Sequence, residues 1–239
     1  MLEKVDLDKS LSKEAYKRRL PALQDRLYDL QRRMFTAGVP VIIVFEGWAE
    51  AGKGDAIRTI SKRLDPRGFR VVPVTAPRGF EKNYPWLWRH WLKIPGRGQI
   101  VIFDKSWYRR VLVDRFEKYV KKEEWQAAYN DIKEFEEVLA ADGALFIKFW
   151  FHISKKEQAR RFKDFQKSKL TAWQVTGEDL DQHKSYDKYA KIVEEMFEKT
   201  GFPQAPWTIV EANDPHFARV KVFKTIINAF EKKLSKIKR

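Results

Sequence analysis

Val39-Pro-Val-Ile-Ile-Val-Phe-Glu-Gly-Trp-Ala-Glu-Ala-Gly-Lys-Gly54 passes from a short β-branched apolar run into a glycine-rich turn. The run has Pro40 at its entrance and reaches Gly47 after Phe45, the pattern of a strand buried on both faces. Beyond Gly54, Ile57, Ile60 and Leu64 fall on one helical face until Asp65-Pro-Arg-Gly68 supplies turn chemistry. The glycines therefore sit between a strand and a helix N-terminus. There backbone N–H groups can converge on phosphate oxygens, and the helix dipole favours an anion. Lys53 adds a mobile positive charge. Gly47, Ala51, Gly52, Lys53 and Gly54 are the phosphate-binding candidates in this Walker A context, which an incidental glycine turn would not share. The residue after Lys53 is Gly54, so the hydroxyl that usually helps to hold Mg²⁺ in such loops is absent, and the metal must be held differently.

Working outward, strands are expected over 69–74, 100–103, 145–151 and 207–210 in addition to the first. Helices are expected over 12–37, 123–142, from Ser154 onward, over 185–199 and over 215–236. Leu20, Leu23, Leu27 and Leu30 give the first of these an apolar stripe. Ser154-Lys-Lys-Glu157 has the form of a capping box. Strands alternating with helices predict an α/β fold with a mainly parallel five-stranded sheet covered on both faces, and ligands at the strand C-terminal ends.

The 239 residues suit one large domain, and an apolar share of 44% is enough for a packed core. A formal charge of +15 implies an anionic partner without choosing among nucleic acid, acidic membrane, nucleotide and phosphate polymer. The chain has no cysteine, which excludes disulfides and suits a reducing compartment; a cytoplasmic location is expected. No signal-like segment or membrane-length apolar stretch is seen, and no nucleic-acid-binding motif, so neither membrane nor specific nucleic acid is expected as partner. The four histidines share no ligand spacing; His90 and His152 are read as structural. Trp86, Trp88 and Trp91 offer stacking faces for a base, but their helical spacing favours core packing.

Ile100-Val-Ile-Phe-Asp104 has the Walker B form, making Asp104 the leading metal candidate, with Glu50 and Asp55 as alternatives. The segments downstream of Asp104 carry a more specific signal. Phe103-Asp-Lys-Ser-Trp-Tyr-Arg-Arg110 with Val113-Asp-Arg115, Lys148-Phe-Trp-Phe-His-Ile-Ser154, Thr171-Ala-Trp-Gln-Val-Thr176 and Ala205-Pro-Trp-Thr-Ile-Val-Glu-Ala-Asn-Asp214 resemble polyphosphate kinase family 2. Likeness runs from about Val41 to the C-terminus, and is strongest to the polyphosphate:AMP phosphotransferase branch, many of whose members carry two fused copies. The resemblance implies a three-layer α/β/α P-loop kinase-like fold with a helical lid. Its expected organisation is one kinase domain over 1–239, with an N-terminal helical segment at 1–38 and a lid at about 154–184. It implies reversible transfer of a terminal phosphoryl group between inorganic polyphosphate and a nucleoside mono- or diphosphate, AMP favoured, with Mg²⁺ or Mn²⁺, in a homo-oligomer (dimer or tetramer).

By the same resemblance Lys53, Asp104 and Arg110 are the catalytic candidates. Arg109, Arg115, Arg160 and Arg161 are further phosphate ligands, the last two from the lid. Two departures stand out. Arg109 replaces a residue usually uncharged in the family, and Ala49 stands where an aspartate is common. The competing readings are an ATP-dependent nucleotide or small-molecule kinase and a catalytically impaired polyphosphate-binding protein.

Overall fold

In the computed structural model, which describes residues 1–167, 169 and 171–237, the apolar run before the glycine turn forms the central strand β1 (Val41–Gly47). Its residues Val41–Glu46 are all buried, as two-sided covering requires. The preceding α1 (Lys13–Thr36) is capped by Ser12, whose hydroxyl accepts from the Ala15 N–H, and buries Leu27, Leu30 and Met34. Leu20 and Leu23 pack on the core from partly buried positions. α2 (Lys53–Ser61) follows the glycine turn and buries Ala56, Ile57 and Ile60.

β2 (Phe69–Pro73), a one-turn α3 (Trp88–Trp91), β3 (Ile100–Asp104), a one-turn α4 (Val113–Phe116) and α5 (Lys122–Ala141) come next. β4 (Leu145–His152), α6 (Lys155–Gln166), α7 (Gly177–Lys184), α8 (Tyr186–Thr200), β5 (Trp207–Glu211) and α9 (Pro215–Ile237) complete the order. The five strands form one parallel sheet ordered β2-β3-β1-β4-β5. Phe45 aligns with Asp104 on one side and Phe149 on the other. With β1 between two later strands, its C-terminal end opens where the strand order reverses, the crevice in which such sheets place ligands.

Three local expectations change. Ser154 does accept from the Glu157 N–H, but its own N–H is taken by the Asn213 side chain, so Glu157 is free to pair with Arg160 and Arg161 instead of closing the box. The closed box occurs at Thr176 and Asp179, opening α7, an element not foreseen. Helix at the tryptophans is a single turn, which cannot bury all three rings. Trp86 and Trp88 are half-buried and Trp91 is 39% exposed, lying edge-on to Phe135. Within the segment 154–184 expected as a lid, residues 168 and 170 lie outside the described residues. Among the described residues no helix is long and apolar enough to cross a membrane.

Candidate active site

The glycine turn is built by close approach to β4. Gly47 has φ +144°, and a Cβ there would stand 2.5 Å from the Phe151 carbonyl oxygen. The Trp48 N–H donates to that same oxygen at 3.1 Å. Gly52 caps α2 in the left-handed region at φ +94°, where glycine avoids the Cβ penalty. Within the turn Lys53 is buried and its Nζ donates to the carbonyls of Gly47 and Trp48 at 3.0 and 2.8 Å. Burial and the neighbouring Lys105 pull its ammonium below the ordinary lysine value, against the attraction of Asp104, Glu46 and Asp179.

Trp48 is not a stacking face for a ligand. It is fully buried, its Nε1 donates to His152 Nδ1 at 3.0 Å, and Tyr186 stacks on it at 4.0 Å. Desolvation holds His152 at about 4 and His90 at about 3, so both imidazoles are neutral and inside the fold.

A cleft of about 630 Å³ opens over the turn. It gathers Ala51, Gly52, Lys53 and Gly54 from the loop, Asp104 from β3, and Arg160 and Arg161 from α6; Gly47 lies at the base of the loop. Glu50 and Asp55 also line it. Asp55 is already held between Arg58 and Arg219. Glu50 adopts φ +55°, and burial raises its carboxyl above the usual range. Among the described residues no three carboxylates or histidines converge as a ready metal cage. With Asp104 at the end of β3 facing the cleft, the site fits a divalent cation of the Mg²⁺ type, which keeps several waters and takes other ligands from substrate phosphates.

Arg161 is braced as a clamp: it meets Glu157, the Glu50 carbonyl and the carbonyls of Ala212 and Asn213. The loop is thereby tied to the end of β5. Arg160 pairs with Glu157 and Asp164 but is largely exposed. Besides Arg58 and Asp164, sequence reading passed over three further charged residues of the cleft: Lys105, Asp179 and Arg219. Lys105 was visible as the basic residue after Asp104; the other two arrive from α7 and α9, and only folding brings them here.

Lys105 has φ +59°, and its N–H donates to the Phe45 carbonyl at 3.0 Å. This sharp turn sends the chain from the first cleft into a second of about 350 Å³, lined by Ser106, Arg109, Arg110, Trp86 and Arg89. Glu46 sets the crossing. It is buried at the end of β1 and accepts from the Ser106 hydroxyl at 2.8 Å, and that hydroxyl accepts from the Tyr108 N–H. Burial pushes the Glu46 carboxyl up to about 7, with Ser106, Lys53 and Lys105 opposing.

The next two residues of the motif are anchors. Trp107 Nε1 and the Tyr108 hydroxyl both donate to Glu136 Oε1, at 3.0 and 2.8 Å, and Lys148 Nζ meets Glu136 Oε2 at 2.7 Å. Held by these contacts, the turn presents Arg109 and Arg110. Arg109 is 9% exposed and ion-paired to Asp114 and to Glu178 of α7. Arg110 reaches Glu124 at 2.9 Å, with its guanidinium 5.7 Å from the Trp86 ring centre. Arg115 lines neither cleft. It lies 2.7 Å from Glu195 and 2.8 Å from the Tyr129 hydroxyl, with its guanidinium over Trp125, so its charge joins α4, α5 and α8 within the fold.

A glycine loop after the central strand, a lysine inside it and a carboxylate ending the adjacent strand define an α/β protein of the P-loop kinase class. The chain belongs to the polyphosphate kinase 2 family, whose profile matches residues 10–238. It is 44% identical over 231 residues to a polyphosphate:AMP phosphotransferase of Pseudomonas aeruginosa, covering 97% of this chain and 47% of that protein. An ADP-polyphosphate phosphotransferase of the same organism is 37% identical over 218 residues, 91% of this chain and 72% of that one. A crystal structure of a candidate polyphosphate kinase 2 from Pseudomonas aeruginosa superposes with a TM-score of 0.94 at 44% identity, over 98% of this chain and 50% of the other. The chain thus spans about half the length of the polyphosphate:AMP relative.

Proposed function

We propose that this chain moves a terminal phosphoryl group between inorganic polyphosphate and a nucleoside phosphate, reversibly, with AMP as favoured acceptor and ADP as second. The observation that carries this reading is the division of one seven-residue turn between two cavities. Asp104 and Lys105 line the loop cleft, while Ser106, Trp107, Arg109 and Arg110 line the second. Two anionic substrates can thus be brought end to end. The names of the relatives, AMP for one and ADP for another, support both acceptors.

Phosphoryl transfer asks mainly for alignment and charge neutralisation. In this reading the loop amides and Lys53 hold the terminal phosphates of the donor. Arg110, beside Trp86, holds the acceptor phosphate, and Arg109 supports it from its pairs with Asp114 and Glu178. An acceptor phosphate oxygen forms the new P–O bond as the bridging P–O bond of polyphosphate breaks, and the shortened polymer leaves with that electron pair. Asp104 would hold Mg²⁺ or Mn²⁺, which when bound neutralises charge on the transferring group. α6 and α7, with Arg160, Arg161 and Asp179 facing the cleft, would act as the lid over 154–184 that excludes water. Arg115 is not given a phosphate in this scheme, because it lines neither cleft and its guanidinium is turned to Glu195 and Tyr129 within the fold. We place the reaction in the cytoplasm and in a homo-oligomer, a dimer or tetramer.

Polyphosphate and ATP are compared as donors, each with AMP and ADP, by measuring the new nucleotide chromatographically. ADP from polyphosphate and AMP is the expected product. Product formed only with ATP would overturn the donor assignment, and none with either would leave a binding protein.

A further inference from the structure

The loop cleft has a second depression as its neighbour, the two sharing one lining residue. Arg58 of α2 lines both the cleft and a groove of about 930 Å³ between α1 and the end of α2. The groove's cations are Arg58, Lys62 and Arg63, and no aspartate or glutamate is part of its lining. This contrasts with the cleft, where Glu50, Asp55, Asp104, Asp164 and Asp179 stand among the cations. The groove walls are held together without a ligand: Gln24 of α1 is buried and donates to the Thr59 carbonyl at 3.2 Å. Hydroxyls on the α2 wall are turned inward, Thr59 to the Asp55 carbonyl and Ser61 to the Ile57 carbonyl. What the groove offers a ligand is therefore positive charge on long side chains.

Those charges are weakly matched. Lys62 makes no ion pair among the described residues, and Arg63 reaches Asp25 at 3.5 Å with both side chains more than half exposed. Arg58 is 78% exposed, with Asp55 as its partner at the cleft rim. Such exposed pairs are worth little and yield readily to a polyanion. A donor seated with its terminal phosphate at Lys53 carries charge along its whole length, and the part extending beyond the cleft must find cations or remain in solvent. Arg58, shared by the two linings, is the cation that such a chain would meet between loop and groove.

We propose that the groove between α1 and α2 is a second binding site for the polyphosphate chain, engaging phosphates distal to the one transferred. Its consequence is selectivity for long donors: a short donor ends inside the cleft and never reaches Lys62 or Arg63. The inference rests on the polyphosphate reading of the cleft, and its test is chosen to stand apart from turnover.

Binding of end-labelled long-chain polyphosphate, and of tripolyphosphate by competition, is measured by fluorescence anisotropy across a salt series for the wild type and for Lys62→Gln/Arg63→Gln. Both substituted residues are surface-exposed and outside the loop cleft. The long chain is expected to lose about tenfold in affinity at low salt. Its log–log salt slope should become shallower by about 1.4, at roughly 0.7 per lost contact on a single-stranded polyanion. Tripolyphosphate binding should not change. In turnover the variant should show a raised KM for the long donor with kcat retained. An equal loss for both donors, no loss for either, or the same loss for single-stranded RNA of matched length would overturn the proposal. If the wild type formed no ADP while the long-chain binding difference persisted, the transfer reading would fall and the groove would stand.

Discussion

Replacing Lys148 with methionine tests the anchoring of the arginine turn. The Lys148 ammonium and Glu136 carboxylate are 2.7 Å apart and both side chains are fully buried. Lys148 also donates to the Tyr108 hydroxyl and the Thr200 carbonyl, at 2.9 and 3.0 Å. Burial pulls the lysine down and pushes the glutamate up, and each partner opposes the other's shift. Methionine fills similar space but leaves Glu136 with two neutral donors, Trp107 and Tyr108, and no counter-charge. Breaking one side of a buried pair costs about 3–5 kcal/mol. At about 2–4 °C per kcal/mol for a chain of this size, Tm should fall by roughly 6–20 °C. Glu136→Gln should be similarly harmful, because it strands the ammonium. Its amide oxygen can still accept from Trp107 and Tyr108, so Lys148→Met/Glu136→Gln keeps those bonds and removes both charges. The double variant should therefore recover most of the loss, with a coupling energy of about 2 kcal/mol or more. Urea unfolding at pH 7, with the m-values checked for constancy, measures all four corners. Strict additivity of the two single losses would refute the view that the pair acts as a unit.

Two further predictions concern the site. Burial keeps the Glu46 carboxyl at about 7 in the folded protein, above its ordinary 4.5, so folding retains a proton that the unfolded chain releases. That contribution is complete below about pH 4.5 and is lost as pH rises through 7, a change of about 3 kcal/mol. Relative to Glu46→Gln, which still accepts from Ser106, the wild type should thus lose stability between pH 5 and 8 in urea titrations; parallel curves would count against a buried, protonated Glu46. Ala49→Asp, restoring the carboxylate common in the family, should preserve or raise turnover, whereas Asp104→Asn should lower it by about 100-fold or more through loss of charge stabilisation worth several kcal/mol. Unchanged rates in Asp104→Asn would remove the metal assignment.

The sequence by itself determined the frame. β1, its glycine turn and α2 were legible because burial on two faces, positive-φ positions and helix periodicity all depend on neighbours in the chain. All five strands and Asp104 at the end of β3 followed from the same local signals. Family motifs placed Arg109, Arg110, Arg160 and Arg161 near phosphate chemistry, and the fold brings each to one of two cavities. Only the tertiary structure decided what each charge is used for. Arg115 shares a motif with Arg110, yet folding brings Glu195 and Tyr129, which are remote in sequence, against it. Asp179 and Arg219 reach the cleft from α7 and α9 for the same reason. Ser106-Trp107-Tyr108 read as a signature of function, and its side chains prove to be struts whose partners, Glu46, Glu136 and Lys148, lie on three other elements. Backbone conformation is set largely by near neighbours, whereas the partner of a side chain depends on which distant segments the core brings together.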